Sequence, residues 1–168
     1  MFGARNERDT YRPLYDRVVA LGREPVWYRD GGVPDTIDGR FDMIAAVLAL
    51  VLLRLEREGE ETAHASALIA ELFIEDMEGT IRQMGIGDLM VGKHVGKMMG
   101  ALGGRLTAFR DAISDGLGFD APVQRNIFHD SPPSPSAVAF VARRLEQLSE
   151  DLAAQSASGL LCGRIAQK

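Results

Sequence analysis

The chain has 168 residues, of which 46% are hydrophobic and 26% charged, and its formal net charge at pH 7 is −5. This length predicts one domain that buries roughly two-thirds of its unfolded surface without disulfides or metals. The acidic balance argues against specific nucleic-acid binding. The one cysteine, Cys162, excludes a disulfide within one copy and a zinc site built from several cysteines.

The N-terminal part predicts a disordered segment, residues 1–9, followed by an amphipathic helix. Thr10 is the expected N-cap of this helix, and its apolar face consists of Tyr11, Leu14, Val18 and Leu21. The opening residues contain no apolar segment, so they predict no secretory signal and a cytoplasmic location. Residues 22–38 predict a loop in which the Trp27 side chain packs into the end of the core and is not exposed to bind a partner.

A second helix is expected over residues 40–57. It is apolar on nearly all sides over residues 43–53, which indicates burial in the middle of a bundle. Eleven apolar residues are too few to span a bilayer. Three polar residues are candidate N-caps: Asp35, Thr36 and Asp38. Calcium binding is not expected, because an EF-hand register puts Pro34 at the first ligand position. The charged cluster here predicts a structural network rather than an active site: Asp35, Asp38, Arg40 and Asp42.

Residues 68–84 and 91–113 carry two apolar series at steps of three or four, and they predict an antiparallel helical hairpin. We expect an all-α, single-domain helical bundle built around this hairpin. Gly85 is expected to end the first arm in the left-handed conformation, and Asp88 to cap the second arm. The segment Gly87–Lys93 fits the first seven positions of a P-loop. No strand precedes it and no Ser or Thr follows it, so no nucleotide site is predicted.

The second arm carries a ridge of glycines four residues apart, namely Gly92, Gly96 and Gly100. Each costs a helix about 1 kcal/mol relative to alanine. The ridge predicts either close packing of another helix of this chain or docking of a partner helix. The two arms also differ in sign of charge. This difference predicts either attraction between the arms or a basic surface that meets a partner, formed by Lys93, His94, Lys97 and Arg105.

The C-terminal part predicts a short helix over residues 121–128, a linker, and a long helix capped by Ser134 with Pro135 at its first position. A narrow apolar seam follows this helix: Val138, Val141, Leu145, Leu148 and Leu152. The seam suits packing on the body or on a second copy, which leaves a homodimer open. The expected divisions are a helical domain over residues 10–128, a linker and helix over 129–155, and a loose tail over 156–168.

No pattern in the chain predicts catalysis, a metal or a cofactor. His64, His94 and His129 lack partners at metal-ligand spacing, and no serine lies in a G-x-S-x-G elbow. Asp76 predicts a paired interior charge, because it interrupts a long apolar helix. One alternative is a small helical enzyme or ligand-binding protein with a closed carboxylate pocket containing Asp76 and Arg40.

Three stretches together resemble the ubiquinol–cytochrome c chaperone family. They are WYRD at residues 27–30, VPDTIDGRFD at 33–42 and EDMEGTIRQMGIGDLMVGKHVGKMMGALGGRL at 75–106, with QRNIF at 124–128 resembling the closing segment of the family. The resemblance covers residues 11–128. It implies an all-α fold, no enzymatic activity, and a role in assembling the cytochrome bc1 complex.

The resemblance also implies partners. Mitochondrial members of that family assist cytochrome b together with a small partner protein, close to the ribosome and the inner membrane. The expected client is therefore cytochrome b or another bc1 subunit, and an accessory protein, the ribosome and peripheral membrane contact are further expected partners. No presequence is evident, which suits a bacterial cytoplasmic member.

Residues that match the family by position are candidate partner-binding residues. They are Tyr28, Pro34, Asp35, Thr36, Gly39, Arg40, Phe41, Asp42, Asp76, Gly85, Gly87, Asp88, Lys93 and Lys97. The ridge of Gly92, Gly96 and Gly100 completes the predicted surface with Met98 and Met99. Small residues and flexible methionines suit an apolar client.

Overall fold

The computed structural model describes residues 7–167, and within that range the chain forms helices and turns without a strand. The helices are α1 Arg12–Gly22, α2 Pro25–Arg29, α3 Ile37–Glu56, α4 Glu60–Gln83, α5 Asp88–Ser114, α6 Asp120–Asn126, α7 Pro135–Ala153 and α8 Ala157–Leu161. The all-α prediction is confirmed. Residues 1–6 of the segment predicted to be disordered lie outside the described residues, whereas residues 7–10 are helical.

Helix α3 is the centre of the bundle and contacts α1, α4, α5 and α7. Every residue from Met43 to Val51 is at most 3% exposed. A helix with no polar side is stable only when neighbours cover it all round, and these four helices do so. Thr36 is the N-cap, since its Oγ1 accepts a hydrogen bond of 3.1 Å from the backbone N–H of Gly39.

Helices α4 and α5 are consecutive and pack on each other, which is compatible with the predicted hairpin. Gly85 follows the C-cap of α4 with φ of +80°, in the left-handed conformation that the sequence predicts. The prediction for Asp88 is wrong. Gly87 is the N-cap, and Asp88 is the first residue of α5, where its carboxylate accepts a hydrogen bond from Arg82.

The segment predicted to be a loop contains α2. Trp27 on this helix is 2% exposed, and its Nε1 donates a hydrogen bond of 2.7 Å to the carbonyl of Leu21. The predicted role of Trp27 in the core is therefore confirmed. Helix α1 is capped at Tyr11 rather than at Thr10, because residues 7–10 already form a helical turn.

The C-terminal helices complete the same core. The seam of α7 is at most 5% exposed, and α7 packs on α3 and α6. It is therefore used within the chain and offers no surface for a second copy. The predicted loose tail is wrong, because Leu160 is fully buried and Ile165 is 6% exposed. Ser134 caps α7 as expected, accepting from the N–H of Ala137.

Candidate partner-binding site

A cleft of about 560 Å³ opens between the start of α3, the middle of α5 and the turn after α6. We call it the α3–α5 cleft. Its lining is Pro34, Thr36, Asp38, Gly39, Phe41, Asp42, His94, Lys97, Met98, Ala101, Arg105 and His129. Many residues predicted to bind a partner therefore share one cavity, although they come from two segments far apart in the sequence.

A buried ion pair joins the two helices that form the cleft. Asp42 and Arg105 are 4% and 3% exposed, and Nη2 of Arg105 donates to Oδ1 of Asp42. The guanidinium also donates to the carbonyls of Asn126 at 2.6 Å and Ala101 at 3.0 Å. Arg105 thus fastens α5 to α3 and to the end of α6. Its predicted place in a basic surface is wrong.

Burial governs the protonation of this pair. Loss of hydration raises the pKa of Asp42, and the hydrogen bond from His129 and the charge of Arg105 oppose this rise. Loss of hydration likewise lowers the pKa of Arg105, against the charge of Asp42. The Nε of Arg105 is buried with no acceptor among the described residues. The Phe41 ring, centred 5.6 Å from Cζ, partly compensates through a cation–π contact.

His129 covers the buried carboxylate from the solvent side. Its Nε2 lies 2.7 Å from Oδ2 of Asp42, while 66% of its side chain is exposed. His129 and Asp130 have φ of +49° and +61°, so two consecutive residues without glycine adopt the left-handed conformation. The sequence predicts a linker at His129 and no partner for it, because 87 positions separate it from Asp42.

The rim of the cleft on α5 is cationic. Lys93 and Lys97 are exposed, and neither has a carboxylate within 4 Å among residues 7–167. Lys97 stands beside Met98, a half-buried side chain that also packs against the core. The cleft therefore combines an apolar wall with positive charge at its edge, which suits a segment carrying both apolar and acidic groups.

The glycine ridge faces solvent. A Cβ added at Gly92, Gly96 or Gly100 would meet no atom of residues 7–167 within 4 Å, and the same holds at Gly103 and Gly104. The predicted packing of another helix on the ridge is therefore wrong for every helix in that range. Docking of a partner helix stays a prediction. We call Gly92, Gly96, Gly100 and Gly103 the glycine stripe.

The charged residues around the start of α3 do not form the single network that the sequence predicts, because Arg40 and Asp42 take part in separate ion pairs. Arg40 pairs with Asp35 at 2.8 Å on the surface, whereas Asp42 points into the core toward Arg105. A separate open cavity of about 520 Å³, which we call the arginine cavity, lies on the Arg40 side and is lined by Arg23, Pro25, Tyr28, Arg29, Asp35 and Arg40. The hydroxyl of Tyr28 donates to the carbonyl of Gly22 at 2.7 Å.

The prediction for Asp76 is also wrong, because this residue is exposed on α4 rather than interior. Its carboxylate accepts a hydrogen bond of 2.6 Å from the hydroxyl of Tyr15. Arg40 pairs with Asp35 instead, so the structure does not bring Asp76 and Arg40 together as the predicted pocket requires.

The predicted residues thus fall on several surfaces of the molecule. The α3–α5 cleft is lined by seven of them: Pro34, Thr36, Gly39, Phe41, Asp42, Lys97 and Met98. The arginine cavity is lined by Tyr28, Asp35 and Arg40. The α4–α5 turn and the outer side of α5 carry Gly85, Gly87, Asp88, Gly92, Lys93, Gly96 and Gly100. Asp76 stands apart, and Met99 packs against the core.

No three His, Cys, Asp or Glu side chains within residues 7–167 are grouped so that they could hold a metal ion. Over the same residues, no helix has the length and apolar character needed to cross a bilayer.

Comparisons with known proteins place the chain. A family model described as ubiquinol-cytochrome C chaperone matches residues 29–167, which includes the last helices. The crystal structure of the Cbp3 homolog from Brucella abortus is similar over 99% of this chain and 94% of that chain, with 27% identity and a TM-score of 0.83. Comparison with curated proteins gives no significant match. The chain belongs to the ubiquinol–cytochrome c chaperone family.

Proposed function

We propose that this protein is an assembly chaperone for the cytochrome bc1 complex and that it binds newly made cytochrome b or another subunit of that complex. The family match over residues 29–167 carries the proposal. Similarity to the Cbp3 homolog supports it along almost the whole chain. The protein acts in the cytoplasm by binding rather than by catalysis.

The glycine stripe is the proposed surface for a client helix. An exposed glycine gains nothing from packing, and each one weakens α5 by about 1 kcal/mol relative to alanine. Bare positions at regular helical spacing allow two helix backbones to approach closely, as small residues do between membrane helices. A client that exposes membrane helices before assembly presents a matching surface.

The α3–α5 cleft is the proposed second part of this surface. It lies beside the stripe, because Lys97 and Met98 come from the same turns of α5 as Gly96 and Gly100. Methionine adapts to irregular apolar partners, and Lys97 can pair with an acidic group of the client. The arginine cavity on the other side of α3 is the proposed contact for an accessory protein or the ribosome.

The alternative of a small helical enzyme has no comparable support. It required a closed pocket that combined Asp76 with Arg40, and each of these residues has a different partner. The family match points instead to a chaperone.

The test is complementation of cells that lack the protein. Absorbance spectra of the membrane cytochromes should lose the bc1 cytochrome b signal on deletion and regain it with the wild-type gene. Gly96→Leu should restore little signal although the protein accumulates normally, because a Cβ at Gly96 meets open space and a leucine side chain there blocks close approach.

Gly79→Leu is the matched control. Gly79 lies on α4 with no atom within 4 Å of an added Cβ, so the same substitution there leaves the stripe intact. This variant should restore the signal fully. Unchanged bc1 levels on deletion would refute the assembly role, and full rescue by Gly96→Leu would refute the stripe as the client surface.

A further inference from the structure

Three large apolar side chains protrude at the turn between α4 and α5. Met84, Leu89 and Met90 are 53%, 97% and 46% exposed. They are half of the large apolar residues exposed within residues 7–167. We call these three residues the apolar tip. A soluble protein does not gain stability from such side chains in water, so a cluster of them marks a contact surface.

Two basic residues follow the apolar tip along α5, in the direction of the C-terminus of that helix. Lys93 and Lys97 follow Leu89 at intervals of four residues, so all three share one side of α5. The helical rise places the two lysines about 6 and 12 Å from Leu89 along the axis. The nearest acidic residue in sequence, Asp88, already pairs with Arg82. Neither lysine pairs with a carboxylate within residues 7–167, so their positive charge is available to a partner.

We propose that the apolar tip inserts into the interfacial region of an anionic phospholipid bilayer, with Lys93 and Lys97 at the level of the lipid phosphates. Interfacial segments bury apolar side chains about 5–10 Å into the boundary between headgroups and acyl chains. The rise of about 6 Å from Leu89 to Lys93 lies within this depth, and Lys97, about 12 Å from Leu89, lies just beyond it. Long lysine side chains reach back to the headgroups while their stems remain in apolar surroundings.

The shape of the tip favours a bilayer over a protein groove. Its side chains project from a short convex turn that contains Gly85 and Gly87, and Leu89 is almost fully exposed. A groove on a protein must match such a protrusion in detail, whereas a fluid bilayer accepts any convex apolar group. Anionic lipids also attract each nearby lysine by about 1 kcal/mol.

The test is flotation of the full-length protein with vesicles. The test requires two kinds of vesicle: phosphatidylcholine alone, and equal parts of phosphatidylcholine and phosphatidylglycerol. The wild type should float with the mixed vesicles, and removing two lysine contacts should weaken binding about 30-fold. Lys93→Gln combined with Lys97→Gln should therefore lower the partition coefficient, as should omitting phosphatidylglycerol. Free glycerol 3-phosphate should not compete, since a bilayer and not an isolated phosphate is bound.

Leu89→Asp tests insertion, and Leu117→Asp is its control. Leu117 is 64% exposed and follows the opposite end of α5, about 40 Å from the tip. Leu89→Asp should lower the partition coefficient at least about tenfold, because it replaces a buried apolar group by a charge of the wrong sign. Leu117→Asp should leave it unchanged, and circular dichroism should show that both variants remain folded.

Three results would overturn the proposal. They are failure of the wild type to float with mixed vesicles, equal flotation of Leu89→Asp and the wild type, and an equal loss in Leu117→Asp. If vesicles are not bound while Leu89→Asp still impairs cytochrome b assembly in cells, the apolar tip contacts a protein and the lipid assignment is wrong.

Discussion

Arg105 and Asp42 lie 63 positions apart and form a buried ion pair at the α3–α5 cleft. Asp42 is held from the other side by His129, which is largely exposed. One carboxylate therefore links the central helix to α5 and to the turn after α6. The geometry of the cleft depends on this contact, since each of the three segments contributes lining residues.

Asp42→Asn should destabilise the protein strongly. The change removes the charge that compensates Arg105 in a buried site, and breaking a buried ion pair from one side typically costs about 3–5 kcal/mol. Urea unfolding measures this loss. Asp35→Asn is the control, because Asp35 pairs with Arg40 on the surface and exposed pairs contribute about 1 kcal/mol or less. Equal losses in the two variants would contradict a structural role for the buried pair.

Gly39→Ala and Gly96→Ala should change stability in opposite directions. A Cβ at Gly39 would lie 1.9 Å from the carbonyl oxygen of Pro34, so the start of α3 would have to move. We expect a loss of about 1–3 kcal/mol in the free energy of unfolding. Gly96 has open space around it, and alanine there should add about 1 kcal/mol. Chemical denaturation measures both, and destabilisation by Gly96→Ala would show that the stripe is packed.

The protein should lose stability at alkaline pH. Burial raises the pKa of Tyr28 from 10.0 to about 12, and burial and a hydrogen bond to Asp76 raise the pKa of Tyr15 further. The unfolded chain releases these protons near pH 10 while the folded chain retains them. The stabilisation is therefore complete below about pH 10 and is lost as the pH rises toward the folded pKa.

Urea unfolding at a series of alkaline pH values measures this effect. Tyr15→Phe cannot titrate at this position, so its stability should decline less steeply above pH 10 than that of the wild type. Its stability at neutral pH should be lower by about 1 kcal/mol, because the hydrogen bond to Asp76 is lost. Parallel curves for the two proteins would show that Tyr15 does not contribute to the alkaline transition.

Leu160→Ala should destabilise the whole domain. Leu160 is fully buried although it lies near the end of the chain, and removing a buried leucine typically costs about 2–5 kcal/mol. Leu117→Ala, at a position that is 64% exposed, should change stability by about 0.5 kcal/mol or less. Thermal unfolding should show one transition in both variants. A negligible effect of Leu160→Ala would indicate that α8 is detached from the core.

Local patterns gave most of the helices. The run of apolar residues in α3 required burial on all sides, and Gly85 marked the end of α4, because both signals depend on neighbouring residues alone. Helix α2 was missed for the same reason. The five residues from Pro25 to Arg29 are too few to establish a period, and the helix forms because Trp27 fits into the core.

The charged contacts could not be read from the sequence. Nothing in the sequence around Arg105 distinguishes it from the exposed Lys97, so the sequence predicts one basic surface that contains both. The partner of Arg105 is set by the crossing of α3 and α5, and that of His129 by the left-handed turn at residues 129–130. The open face of the glycine stripe likewise depends on which helices the chain places beside α5.

The burial of α3 also affects how the chain is made. Helix α7 covers the apolar middle of α3, but it leaves the ribosome much later, because about 100 residues separate the two helices. At about 5–20 residues per second, synthesis of those residues takes roughly 5–20 s. During that interval the most apolar helix of a chaperone lacks part of its own cover. Until α7 has been made, apolar surface that is buried in the folded protein has no cover from that helix.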